Sequence, residues 1–171
     1  FPEQYAKVYE AQKLITSAQG NTSQTLRAIE LLRSVISVNQ RFAPAYVQIA
    51  RATSNLGLMP NNRFDLGSLQ EMEKALQKAL EIEPSYDYAI ALMGFSKMFQ
   101  GDLDGAEKYY RQAERMGSSY PYLLTQQSQL ANRRGNYSVA LDYATKAYEQ
   151  NRNSPTLAAS AINEILFTLQ K

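Results

Sequence analysis

The chain of 171 residues contains no cysteine, no histidine and no tryptophan. Without cysteine there is no disulfide framework and no thiolate nucleophile. Without histidine the imidazole bases and the Cys/His metal sites go as well. A cysteine-free chain suits either the reducing cytosol or the bacterial periplasm. No apolar run approaches the roughly 18 to 20 residues that span a bilayer, so direct membrane insertion is not expected. The P-loop, the G-x-S-x-G turn and the glycine-rich dinucleotide loop are all missing, and no cofactor is expected. An excess of one charge is missing too. Lysine and arginine number 18 against 16 acidic residues, the signs are interspersed, and no nucleic-acid footprint is visible. The chain opens at Phe1 rather than methionine, which reads as an excised or processed piece.

What is present is ordinary for a folded protein. A hydrophobic content of 44% with 20% charged residues allows one substantial core or one short solenoid. The informative feature is a displacement. Gly101, Ala106 and Ala113 recur 34 residues later as Gly135, Ala140 and Ala147. With Gly94 as the eighth residue of a unit, Ile90 and Met93 fall at the fourth and seventh positions. Ala106, Tyr110 and Ala113 then fall at the twentieth, twenty-fourth and twenty-seventh. This is similar to the tetratricopeptide pattern W-x2-L-G-x2-Y…A-x3-F…A, with Ile for Trp and Lys97 for the first Tyr.

The resemblance implies an all-α solenoid of about four helix pairs in one domain. Repeats are expected near residues 3–40, 41–84, 85–118 and 119–152. In the first, helices are expected from Glu3 to Ala18 and from Ser23 to Val38. In the fourth, Gln127 and Ser128 stand at the seventh and eighth positions, where small or polar side chains still permit close packing. Residues 154–170 read as a terminal helix capped by Ser154, with Leu157, Ala161, Ile165, Leu166 and Leu169 on one side, closing the last apolar face.

The second repeat breaks the spacing. Gly94 to Ala113 is 19 residues, but the equivalent Ala50 to Ala79 is 29, so ten residues are inserted. They fall within 57–67, a stretch rich in turn formers, with Ser68 expected to cap the helix that follows. Loops of that length are often functional.

Catalysis needs convergent groups of suitable pKa, and none is evident. The pairs Glu71/Glu73, Glu81/Glu83 and Asp102/Asp104 are two apart and share no helix face. Asp102 suits a helix N-terminus. Arg133 and Arg134 sit among Glu107, Glu114 and Asp142 as mixed surface charge. No catalytic residue and no metal ligand is expected, and the chain reads as a non-enzyme.

The family's first helices line a concave wall, which the resemblance carries onto particular positions here. Tyr88, Ala91, Phe95, Met98 and Phe99 come from the third repeat. The fourth gives Tyr122, Thr125, Gln129, Asn132 and Arg133. The second gives Val47, Arg51, Ser54 and Asn55, and the first Tyr9 and Lys13. The implied partner is a protein or peptide segment, with aromatic anchors at the centre and Arg or Asn for its carboxylates and backbone. Cochaperone members clamp a terminal carboxylate with Lys and Asn at two first-repeat positions. Tyr9 and Lys13 stand there instead, so that role is not expected.

Two further stretches, Ala28 to Ala50 and Ala75 to Pro84 with Leu58-Met-Pro60 between them, resemble a bacterial subset. Its repeat domains lie C-terminal to winged-helix regulators and adenylate-cyclase-type signalling proteins, several of them membrane-anchored. This implies an alternative: a ligand-sensing domain, or one that dimerises through the terminal helix. An envelope assembly factor is a third reading.

Overall fold

Short polar residues and left-handed glycines punctuate the chain, and helices fill the intervals. The computed structural model describes residues 2–18, 20–59 and 63–171. Within them lie nine α-helices: α1 Pro2–Ser17, α2 Thr22–Val38, α3 Ala43–Gly57, α4 Leu66–Ile82, α5 Asp87–Gln100, α6 Leu103–Arg115, α7 Leu123–Arg133, α8 Tyr137–Asn151 and α9 Pro155–Leu169. Gly101 follows α5 at φ 89°, and Gly135 stands in the turn after α7 at φ 75°. That backbone region carries no steric penalty only for glycine, which is why these two positions repeat.

Caps set the starts. The Asn21 side chain accepts the Gln24 N–H at 3.2 Å, and Asp102 accepts the Gly105 N–H at 2.8 Å. The start of α4 departs from expectation. Asp65, not Ser68, is the N-cap, and its carboxylate accepts the Ser68 N–H at 2.8 Å. That backbone hydrogen bond also lowers the Asp65 pKa. An acidic acceptor three residues before an available N–H outcompetes a serine hydroxyl, so the helix starts earlier and the loop is shorter.

Consecutive helices pack as pairs, α1 with α2 through α7 with α8, and α9 lies on α8 and α7. Two apolar clusters fill the interior. One centres on Val8, Ile15, Leu32 and Val35, the other on Met72, Leu76, Ile90 and Tyr110. Small residues let the pairs close. A Cβ on Gly94 would lie 2.5 Å from the Tyr110 ring, so that ring rests on bare backbone. At the equivalent place in α7, Ser128 donates its hydroxyl to the Ala140 carbonyl at 2.8 Å.

The first helices also touch in sequence, α1 with α3, α5 with α7 and α7 with α9. The α3 and α5 backbones approach less closely, while their side chains share one apolar cluster. The inserted loop forms a narrow stem. The Met59 N–H donates to the Arg63 carbonyl at 2.8 Å and the Asp65 N–H to the Gly57 carbonyl at 2.9 Å. Leu58 bridges to Phe64. Pro60, Asn61 and Asn62 of the expected insert lie outside the described residues.

The terminal helix is only half what its sequence suggested. Ala158, Ala161 and Thr168 are buried, whereas Leu166 and Leu169 are 53% and 65% exposed. The small Ala158 and Ala161 bring α9 close to its neighbours, which turns the leucines outward. Ser154 holds the N-cap position without a side-chain hydrogen bond.

Candidate binding groove

The four first helices, α1, α3, α5 and α7, together with the start of α9, surround a cavity of about 780 Å³. Of the residues expected at a groove, Arg51 and Asn55 of α3 line it. So do Tyr88, Phe95 and Phe99 of α5, with Tyr122 and Gln129 at α7. Ser54 and Thr125 line it as well.

The others are elsewhere. Val47 is fully buried in the core beside Met72 and Ile90, and Ala91 and Met98 are fully buried too. The cause is helix rotation: α3 and α5 turn these positions inward, between helices rather than into the cavity. Asn132 is taken by α9, its Nδ2 donating to the Thr168 hydroxyl at 2.9 Å. Tyr9 is 62% exposed and Lys13 covers its ring at 5.2 Å, while α1 presents Ile15 and Thr16 to the cavity instead. Arg133 lies outside the lining, but its guanidinium covers the Phe99 ring at 4.7 Å.

Among the lining residues that escaped the positional pattern are Phe64, Leu92, Tyr120 and Gln126. Phe64 comes from the inserted loop, and its ring stands edge-on to Phe99 at 4.6 Å and Phe95 at 5.2 Å. Phe95 and Phe99 are themselves 4.7 Å apart, so three rings form one aromatic wall. Across the cavity Tyr120 meets Tyr88 at 4.8 Å and accepts a hydrogen bond from the Gln126 amide at 2.8 Å. The aromatic side chain in a turn-rich insert was the available signal for Phe64. Tyr120, just ahead of Pro121 at the entry to α7, carried none.

The electrostatics are one-sided. Among the described residues Arg51 is the one charged group in the lining, and no carboxylate is there. Its guanidinium donates to Gln48 Oε1 at 3.0 Å. Burial pushes the Tyr88 and Tyr120 phenols up, with Arg51 pulling weakly the other way. Both therefore stay neutral near pH 7 and act as hydrogen-bonding rings rather than proton carriers. On the α7–α9 side, burial raises the Glu164 pKa against the hydrogen bond it accepts from Gln129 at 2.8 Å.

Outside the cavity several acidic side chains have structural partners. Glu73 pairs with Lys97 at 3.1 Å, and Glu107 holds both Arg111 and Arg134. Among the described residues no group of three or more His, Cys, Asp or Glu could hold a metal ion. No described helix is long and apolar enough to cross a membrane.

Comparison with known proteins bears on the fold. A tetratricopeptide repeat model matches residues 63–86, and no curated protein matches the chain in sequence. Among solved structures, a thermophilic tetratricopeptide protein of Thermus thermophilus is similar at a TM-score of 0.74. Its identity is 20%, over 95% of this chain and 81% of that one. The human IFIT1 dimer with m7Gppp-AAAA is similar at 0.68 and 18% identity, over 98% of this chain and 42% of that one. The Cut9–Hcn1 hetero-tetramer of the APC/C is similar at 0.62 and 13%, over 97% and 37%. The fold is a tetratricopeptide α-solenoid, and the chain spans well under half of the IFIT1 and Cut9 structures it resembles.

Proposed function

We propose that this chain is a non-enzymatic interaction module that holds an extended, acid-bearing protein segment in the first-helix cavity. The observation that carries this is the described lining itself: aromatic faces, several amides and hydroxyls, one arginine and no acid. Rings supply buried area, while Arg51, Asn55 and Gln129 offer donors to a segment's carboxylates and carbonyls. The IFIT1 structure holds a capped RNA, but a phosphate chain calls for several cations and this lining offers one. The fold class is one of scaffolds, which fits the non-enzyme reading.

The test is fluorescence anisotropy with acid-rich peptides of about ten residues, enough extended chain to cross roughly 30 Å. Binding should weaken about tenfold or more in Arg51→Gln, as expected for loss of a charge-assisted hydrogen bond. Failure of every peptide to bind, or preferential binding of an RNA oligomer, would sink the reading.

One observation favours a second reading, a dimerising domain of a larger signalling protein. Pro155, Ala159, Ile162, Leu166 and Leu169 are all exposed and follow alternating four- and three-residue steps. That spacing suits a second helix laid along α9, supplied by a second copy. Light scattering on the intact chain and on Leu166→Glu decides it. A dimer that the substitution splits supports this reading, and a monomer in both cases ends it.

A further inference from the structure

We infer that the inserted loop supplies an internal occupant of the aromatic wall, which makes Phe64 the residue that selects the groove's partners. The inference rests on the groove reading above and adds to it the class of segment accepted.

The loop is longer than its connection requires. Between α5 and α6, Gly101 and Asp102 suffice, whereas α3 ends at Gly57 and α4 starts at Leu66. The described ends of the loop are held in place. The two backbone hydrogen bonds that form the Leu58–Phe64 bridge set the loop's stem, and Asp65 is committed to capping α4. Held between these constraints, Phe64 leaves its own helix pair and reaches the next one. There it contacts both Phe95 and Phe99, which project from α5 into the cavity.

The chemical consequence follows from exchange. An aromatic side chain of a partner gains from Phe95 and Phe99 what Phe64 already gains, so its net reward for displacing Phe64 is small. Arg133 covers Phe99 as well, which leaves that ring little free face. The part of the lining that Phe64 does not touch includes Arg51, Tyr88, Tyr122 and Gln129. It favours an extended acidic segment with small or aliphatic side chains over one with an aromatic anchor.

The experiment compares two fluorescein-labelled, acid-rich peptide pools of about ten residues, one with a central phenylalanine or tryptophan and one without aromatics. The proteins are the intact chain, Phe64→Ala and Phe64→Leu, with circular dichroism and melting to confirm the fold. Wild type should bind the aromatic pool no better than the other. Phe64→Ala should gain at least about threefold for the aromatic pool relative to the other pool, the order of one aromatic contact. Phe64→Leu, which still fills the space, should stay near wild type. A wild-type preference for the aromatic pool that Phe64→Ala abolishes would overturn the inference and make Phe64 part of the receptor wall. Equal behaviour of all three proteins would overturn it too, while leaving the groove reading standing. If neither pool binds any of them, both readings fall.

Discussion

In α5–α6 the Tyr110 ring lies against the bare backbone of Gly94, whereas 34 residues later Ser128 and Ala144 hold the same two positions in α7–α8. All four residues are buried. One pair joins the smallest residue to a large ring. The other joins two small side chains and adds a hydrogen bond from Ser128 to Ala140. What the repeat keeps is therefore the close approach of the two helices and not the residue, or even the volume, at each place. Gly101 and Gly135 differ in kind, because a positive φ has no such compensation.

A double-mutant cycle tests that exchange and carries the largest expected effect. Tyr110→Ala should cost about 3–5 kcal/mol by leaving a cavity, and Gly94→Ser about 1–3 kcal/mol by crowding the ring. The double variant transplants the α7–α8 solution, so urea unfolding should show it less destabilised than the sum, with a coupling of about 1–3 kcal/mol. Strict additivity would mean the two positions do not compensate each other. The ring's hydroxyl is a separate matter. It is buried without a hydrogen-bond partner among the described residues, so Tyr110→Phe should be neutral or stabilising by about 1 kcal/mol.

The same contrast explains how far the sequence could be read. Glycine, alanine and tyrosine at fixed offsets disclose helix pairs, because each marks a backbone approach that few residues satisfy. The wall of the groove is harder. The repeat pattern says which helix faces inward but not its rotation, so Arg51 and Phe99 reach the cavity while Val47 and Met98 sink into the core. Phe64 was beyond the pattern because an insertion has no repeat position to inherit. Ser68 was read as the cap of α4, but the Asp65 carboxylate takes that place three residues earlier. In α9, leucines at helical spacing on a terminal helix look like core whether they face inward or out. Only the packing of Ala158 and Ala161 decides between the two.

The hydrogen bond that replaces the ring should be worth less than the ring. Ser128→Ala removes the donor to Ala140 with little change in volume, and should cost about 1 kcal/mol. Ser128→Gly should cost more than that, since glycine is a poor helix former by about 1 kcal/mol. Gly94 escapes that comparison only because Tyr110 fills its place. A neutral Ser128→Ala would show that α7–α8 depends on size alone.

The smallest effect concerns the caps of α6 and α8, where the two pairs differ again. Asp102 accepts the Gly105 N–H, whereas Asn136, with similar backbone angles, makes no capping bond. The residue three places on differs too. A Cβ on Gly105 would stand 2.2 Å from the Asp102 carboxylate, which would have to shift to keep the bond. Asn21 and Asp65 make the same bond to Gln24 and Ser68 in a shifted arrangement. Val139 occupies that position in α8. Asp102→Ala should therefore cost about 1 kcal/mol and Asn136→Ala only a few tenths. Gly105→Ala sharpens the point, because it adds helix propensity worth up to about 1 kcal/mol while it displaces the cap. In the Asp102→Ala background only the gain remains. Gly105→Ala should then raise stability by more than it does in the wild type, where the two effects oppose each other. Equal gains in both backgrounds, measured by thermal unfolding, would show that Asp102 caps α6 without help from Gly105.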